Sequence, residues 1–165
     1  MNETARKVKE KFAREVIGLS DFRGDLAITV RRELIAEVCR FLMSPEGGDH
    51  AMLVDVCGVD YLKMGREPRF EVVYHLNSLT THHRIRVKVP VPEDDPRLPT
   101  ITHLSKAANW FEREAYDLYG IIFTGHPDLR RLLTHDDFVG HALRKDYPVN
   151  RRQELRRPTP FAEER

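Results

Sequence analysis

Two runs of alternating residues constrain the fold more than any other feature of the chain. Phe70, Val72, Tyr74 and Leu76 alternate with Glu71 and His75, while Ile85, Val87 and Val89 alternate with Arg84, Arg86 and Lys88. A period of two puts each apolar set on one side of a strand, so both strands belong to a sheet with one covered and one wet face. Asn77-Ser78 between them predicts a hairpin and therefore antiparallel pairing. Leu26, Ile28 and Val30 alternate with Ala27 and Thr29 in a further short strand. Residues 52–59 are nearly continuous in apolar β-formers, the pattern of a central strand covered on both faces.

A sheet with an apolar face needs helices to cover it. Ala5, Val8, Phe12, Val16 and Ile17 have helical spacing, with Thr4 as N-cap and Gly18 as stop, which predicts a helix over 4–17. A second is predicted over 33–43, ended by Ser44-Pro45. A third runs from Leu104 to a stop at Gly120, with apolar residues at 107, 108, 111, 115 and 118. Between strands and third helix, residues 90–99 hold four prolines and three acids and read as a stiff loop without regular structure. The order predicts a two-layer α+β domain over 1–122, with helices on one face of a mixed, largely antiparallel sheet. Residues 123–165 follow as an extended segment and tail, of which 150–165 are too charged to bury the apolar area that would order them.

Composition narrows the function classes. With 165 residues, 41% hydrophobic and 32% charged, the chain can build one core, and it has no apolar run near the ~20 residues of a membrane span. Its N-terminus is charged from the start and lacks the apolar segment of a secretory signal, which predicts a cytosolic protein. Lys and Arg number 27 against 26 Asp and Glu, so no overall field draws the chain to nucleic acid. Cys39 and Cys57, both in apolar surroundings, read as buried free thiols. Two thiols fall short of the four ligands of a typical iron-sulfur cluster, so a redox centre would belong to another chain.

The polar chemistry concentrates between 110 and 148. Phe123-Thr-Gly-His-Pro-Asp-Leu-Arg-Arg is echoed by Phe138-Val-Gly-His-Ala-Leu-Arg-Lys. His126, Asp128, His135, Asp136, Asp137 and His141 offer metal-ligating groups, but no pair has the spacing of a His-Glu-x-x-His helix. Glu114 and Asp117 are a candidate acid/base pair; an ion pair between Arg113 and Asp117, four residues apart, is the plainer reading of that helix. Phosphate-binding glycine loops and Gly-x-Ser-x-Gly nucleophile turns are absent from the sequence. The basic pairs 130–131, 144–145, 151–152 and 156–157 suggest RNA, but interspersed acids suit a protein surface of mixed charge better.

Glu112-Arg113-Glu114-Ala-Tyr116-Asp117-Leu-Tyr-Gly120, then Gly125-His126-Pro127-Asp128-Leu-Arg130-Arg131, then Leu143-Arg144-Lys145-Asp146-Tyr-Pro148, closely resemble the signature of the C-subunit family of NADH:quinone oxidoreductase, respiratory complex I. The resemblance implies a non-catalytic member of the peripheral arm. It would hold no cofactor, with FMN, iron-sulfur clusters and quinone in partner subunits. It would assemble with the D-subunit homologue and neighbouring connecting subunits as a hetero-oligomer, without nucleic acid, peripheral on the cytoplasmic side of the membrane. By the same likeness Glu112, Arg113, Glu114, Tyr116, Asp117, Gly120, Gly125, His126, Pro127, Asp128, Arg130, Arg131, Gly140, His141, Arg144, Lys145, Asp146 and Pro148 would order the motif and its interface. The chain departs from the family pattern at Thr134-His135-Asp136-Asp137-Phe138 and at Ala142, where Gly-His-Pro-Leu is usual. A related complex, a membrane-bound hydrogenase or a dehydrogenase with another donor, is the alternative parent.

Overall fold

The alternating runs become neighbouring strands, as their pattern requires. A computed structural model describes residues 3–153. Strands β1 (Val16–Phe22), β2 (Asp25–Val30), β3 (Met52–Asp60), β4 (Phe70–Asn77) and β5 (Arg84–Val91) form one sheet in the order β1-β2-β5-β4-β3. β4 and β5 pair antiparallel in register, Val72 opposite Val89 and Tyr74 opposite Val87. Their inward residues are buried, whereas His75, Arg86 and Lys88 on the other face are half-buried. Only β2 and β5 run parallel, so the sheet is mixed and largely antiparallel as expected.

Helices α1 (Glu3–Lys11), α2 (Ile35–Met43) and α3 (Ala108–Tyr119) send Val8, Val38 and Leu42, and Ala108 and Ala115 into the same core as the inward strand residues, joined by Phe12 just past the end of α1. Burying an aliphatic or aromatic side chain contributes roughly 1.5–3 kcal/mol, and this apolar layer supplies the driving force. Among the described residues no helix is long and apolar enough to cross a membrane.

Three expectations are corrected. The first helix ends at Lys11, and Val16 and Ile17 open strand β1, where Val16 pairs with Val30. A helical spacing survives across a turn that tertiary pairing converts into an edge strand. β3 lies at the sheet edge instead of its centre, and β5 is the middle strand. Its apolar continuity reflects α3 covering one side, while Met52 and Val54 stay about half exposed beside a register shift between Leu53 and Asp55. The proline-rich stretch contains β6 (Arg97–Pro99), paired in parallel with β7 (Ile122–Thr124) in a small second ribbon. That ribbon brings the chain entering α3 and the chain leaving it side by side. Part of the charged tail, 154–165, lies outside the described residues.

Candidate functional site

α3 ends where its sequence says it should. Gly120 adopts φ +76°, a left-handed conformation that glycine reaches without a Cβ penalty, and its N–H bonds Tyr116 O. A helix end leaves its last carbonyls without intrahelical donors. Here the returning chain supplies them: His141 Nδ1 donates to Asp117 O at 2.9 Å, Leu143 N to Leu118 O at 3.1 Å, and Arg144 Nε to Tyr119 O at 2.7 Å. The segment after α3 is thereby fastened to the helix it leaves.

Asp117 is a second fastening. Its carboxylate is fully buried and accepts the backbone N–H groups of Leu132, Leu133 and Thr134 at 2.7–3.0 Å, the Thr134 hydroxyl, and Arg131 Nη1 at 2.8 Å. Burial alone would raise its pKa, but these donors outweigh it and hold the group well below the usual carboxylate range. Arg113 does not pair with Asp117 as its spacing suggests. It reaches across to donate to Arg130 O and Arg131 O, so both residues grip the same loop.

The third fastening joins the segment to the sheet. Arg69, immediately before β4, is almost fully buried. Its Nε and Nη2 bond the Asp60 carboxylate at 3.0 and 2.8 Å, while Nη1 and Nη2 reach Asp146 at 3.2 and 2.8 Å and Nη1 reaches Glu93 at 2.5 Å. Asp60 also accepts the Lys145 N–H at 2.8 Å. Burial opposes ionisation of Asp60, yet the hydrogen bonds from Arg69, Lys145 and Leu62 keep its pKa down at about 2. A planar guanidinium that satisfies three carboxylates explains why arginine stands at this node.

Towards the start of α3, Glu112 is buried and accepts Ile101 N–H at 2.8 Å and the Thr100 hydroxyl at 2.5 Å. Burial outweighs these bonds and pushes its pKa up to about 7. His126 accepts the Asp128 N–H on Nδ1, so Nε2 carries the proton it donates to Asn109 O at 3.2 Å. Burial favours this neutral form. The echo in the sequence therefore has a structural counterpart: each Gly-His turn docks its imidazole on a backbone carbonyl of α3, His126 on Asn109 and His141 on Asp117.

These contacts gather Glu112, Arg113, Asp117, Gly120, His126, Arg131, His141, Arg144, Lys145 and Asp146 into one scaffold. Tyr116 meets the His141 ring edge-on, with centroids 6.5 Å apart. Gly125 and Pro127 are exposed in the turn after β7, beside Trp110. Asp128 and Arg130 form an exposed ion pair at 3.0 Å, Arg131 also donates to Gly140 O, and Pro148 O accepts Arg151 N–H. Glu114 is exposed while Asp117 is buried, which separates the candidate acid/base pair. The six candidate metal ligands of the motif do not converge among the described residues; the group that does converge is Asp55, Cys57 and His75. Cys39 is buried as expected, whereas Cys57 is only half-buried.

Sequence reasoning misses Asp60, Arg69, Glu93, Thr100 and Thr134, each of which has a partner at least 9 residues away, up to 85 for Asp60 and Lys145. It also reads 123–165 as an extended segment and tail. Residues 121–153 are instead secured to the domain, Ile121 and Phe123 by burial in the core and the rest mainly by ion pairs and bonds to backbone groups. Even Gln153 bonds both backbone groups of Val139. The outward side of that segment mixes apolar and charged groups: Leu133 is 65% and Val139 61% exposed, Leu143, Asp136, Asp137 and Lys145 are exposed, and so is Trp110 of α3.

A two-layer domain whose conspicuous polar motif serves to fix its own C-terminal segment is a scaffold or accessory component of a larger assembly. The family described as "Respiratory-chain NADH dehydrogenase, 30 Kd subunit" matches residues 28–153, and the chain belongs to it. It is 49% identical over 148 residues to the NADH-quinone oxidoreductase C-subunit of Geobacter metallireducens, covering 90% of each chain. It is 52% identical over 134 residues to that of Roseiflexus castenholzii, covering 81% of this chain and 76% of the relative. Among solved structures, the trypsin-resistant fragment of Nqo5 superposes with a TM-score of 0.66 at 41% identity, over 76% of this chain and 98% of the fragment. A chain of the membrane-bound sulfane sulfur reductase, an archaeal respiratory membrane complex, also gives 0.66, at 26% identity over 82% of this chain and 76% of that one.

Proposed function

We propose that this chain is the C-subunit of a respiratory NADH:quinone oxidoreductase and that its strapped segment, 121–149, is the surface on which the D-subunit homologue seats, with neighbouring connecting subunits alongside. It acts by position, without an active site or redox cofactor of its own, and is held peripherally on the cytoplasmic side of the membrane through the complex. The observation that carries the reading is the division of labour within the segment. Arg113, Asp117 and Arg144 face inward and fix it, leaving Leu133, Val139, Leu143 and Trp110 exposed with Arg130, Lys145, Asp136 and Asp137, the apolar and mixed-charge surface of an interface. NADH as the donor is supported by identities of 49% and 52% to NADH-quinone oxidoreductase subunits, against 26% for the sulfane sulfur reductase chain.

Co-expression with the D-subunit homologue tests this directly. Leu133→Glu with Val139→Glu should abolish co-purification, while Lys9→Glu on the exposed side of α1 should leave it intact. Unchanged recovery of the partner by the double variant would refute the assigned surface.

A further inference from the structure

Strands β3 and β4, at one edge of the sheet, carry a cluster that the family motif does not include. Asp55 and Cys57 are two residues apart on β3 and therefore project to one side, and His75 lies directly opposite Asp55 on β4. One ligand atom from each of the three lies within 4.8 Å of the others, and Cys57 Sγ stands 4.0 Å from His75 Nε2. We propose that Asp55, Cys57 and His75 form a binding site for a divalent transition metal of borderline softness, with zinc as the fitting ion.

The donor set is the argument for that class. Thiolate, imidazole and carboxylate together suit zinc, whereas the oxygen-rich shells of calcium or magnesium have no place for sulfur. Tetrahedral zinc, with bonds of ~2.3 Å to sulfur and ~2.0–2.1 Å to nitrogen, would bring these two atoms to roughly 3.6 Å. Cys57 and His75, 4.0 Å apart, need a contraction of a few tenths of an ångström, and the Asp55 carboxylate, within 4.8 Å of both, has to close by up to about 1 Å. Three protein ligands leave the fourth position open; His75 borders a cavity of about 430 Å³ with Met52, Val54 and Arg86, and Asp55 and Cys57 border a smaller one beside Glu114.

Electrostatics around the cluster agree. The basic groups that face His75, Arg86 and Lys88, are committed to Asp25 at 2.6 Å and Glu71 at 3.6 Å. Glu114, exposed on α3 and bordering a small cavity with Asp55 and Cys57, adds negative potential. Metal-free, the Cys57 thiol is protonated, pushed up to about 11 by burial and then by Asp55. Binding therefore releases the thiol proton to solvent as the metal–sulfur bond forms, and Asp55 and the thiolate balance the two charges of the ion.

Cobalt(II) and zinc titrations of the full chain, stripped with chelator, test the proposal. Cobalt should bind at one equivalent and produce thiolate-to-metal charge-transfer absorption, and zinc should displace it. Cys57→Ser should abolish that band, His75→Ala should weaken binding at least tenfold, and Cys39→Ser should leave the band unchanged. Circular dichroism on each variant separates loss of ligand from loss of fold. Absence of a thiolate band in the folded wild-type chain, or a band that persists in Cys57→Ser, would overturn it.

Discussion

Replacing Asp117 by Asn preserves shape and removes the charge around which the segment after α3 is folded. Five donors converge on the carboxylate: three backbone N–H groups on Oδ2, and Arg131 and the Thr134 hydroxyl on Oδ1. Asparagine has one carbonyl oxygen. If that oxygen takes the three N–H groups, its amide hydrogens point at the Arg131 guanidinium, which is 19% exposed and loses its counter-charge. Removing one side of a largely buried charged contact costs ~3 kcal/mol, or roughly a hundredfold in the population of the opened segment. The loss should be local, because the apolar core between sheet and helices is untouched. Trypsin reads it: the Arg131–Leu132 bond is shielded while Asp117 holds Leu132 N, and when reclosing is fast the cleavage rate follows the open fraction. Cleavage at that bond, followed by mass spectrometry under native conditions, should accelerate by about a hundredfold, with far-ultraviolet circular dichroism unchanged. A rate within about twofold of wild type would show that Asp117 does not hold the segment.

Arg69→Met leaves buried Asp60 without its bidentate partner and should cost ~3–5 kcal/mol in urea denaturation. The same node sets an acid limb. With its folded pKa near 2, Asp60 contributes stability above the unfolded value of ~3.9 that is lost as pH falls through about 2, and the variant should flatten this limb. Glu112 works in the opposite direction. Its pKa is raised to about 7, so its contribution is complete below the unfolded value of ~4.3 and is lost as pH rises through 7; Glu112→Gln should erase ~2–3 kcal/mol of that decline between urea midpoints at pH 5 and pH 8. Gly120→Ala puts a Cβ 2.5 Å from His141 Nε2 and 2.7 Å from Arg144 Nη2 at a left-handed φ, and should lower thermal stability by ~2–3 kcal/mol with release of the cap.

What the sequence discloses about this fold is what depends on near neighbours. β4 and β5 are legible because a period of two is written into consecutive residues, and the end of α3 because Gly120 closes a helical run. β3 is misplaced because its apolar continuity records that material covers it without saying how many strands flank it. Residues 16–17 continue a helical spacing into a strand that is defined by its pairing with β2, from Val16 opposite Val30 to Phe22 opposite Asp25. The candidate site divides in the same way. Glu112, Arg113, Asp117, Arg131 and Arg144 stand out as a dense polar motif, but most of their targets are backbone carbonyls and N–H groups, which no side-chain pattern reveals. Asp60 and Arg69 lie outside the motif, at a strand end and just before a strand start, and only the returning chain at 145–146 gives them their role.

The polar character of the motif segment invites the conclusion that it waits for a partner to order it, and the geometry reverses that order of events. Fixing a residue's backbone costs about 1–2 kcal/mol, so a segment that folded only on docking would surrender much of its contact energy to ordering. Directional bonds from Asp117, Arg113, Arg69 and the open end of α3 meet that cost within the chain itself. They also fix the register of the segment, which apolar packing, being non-directional, would not. Because the inward contacts are polar, Leu133, Val139 and Leu143 are left free to face outward. In the proposed assembly the partner meets a preformed surface, and its affinity should depend on integrity of the buried anchors as much as on the residues it touches.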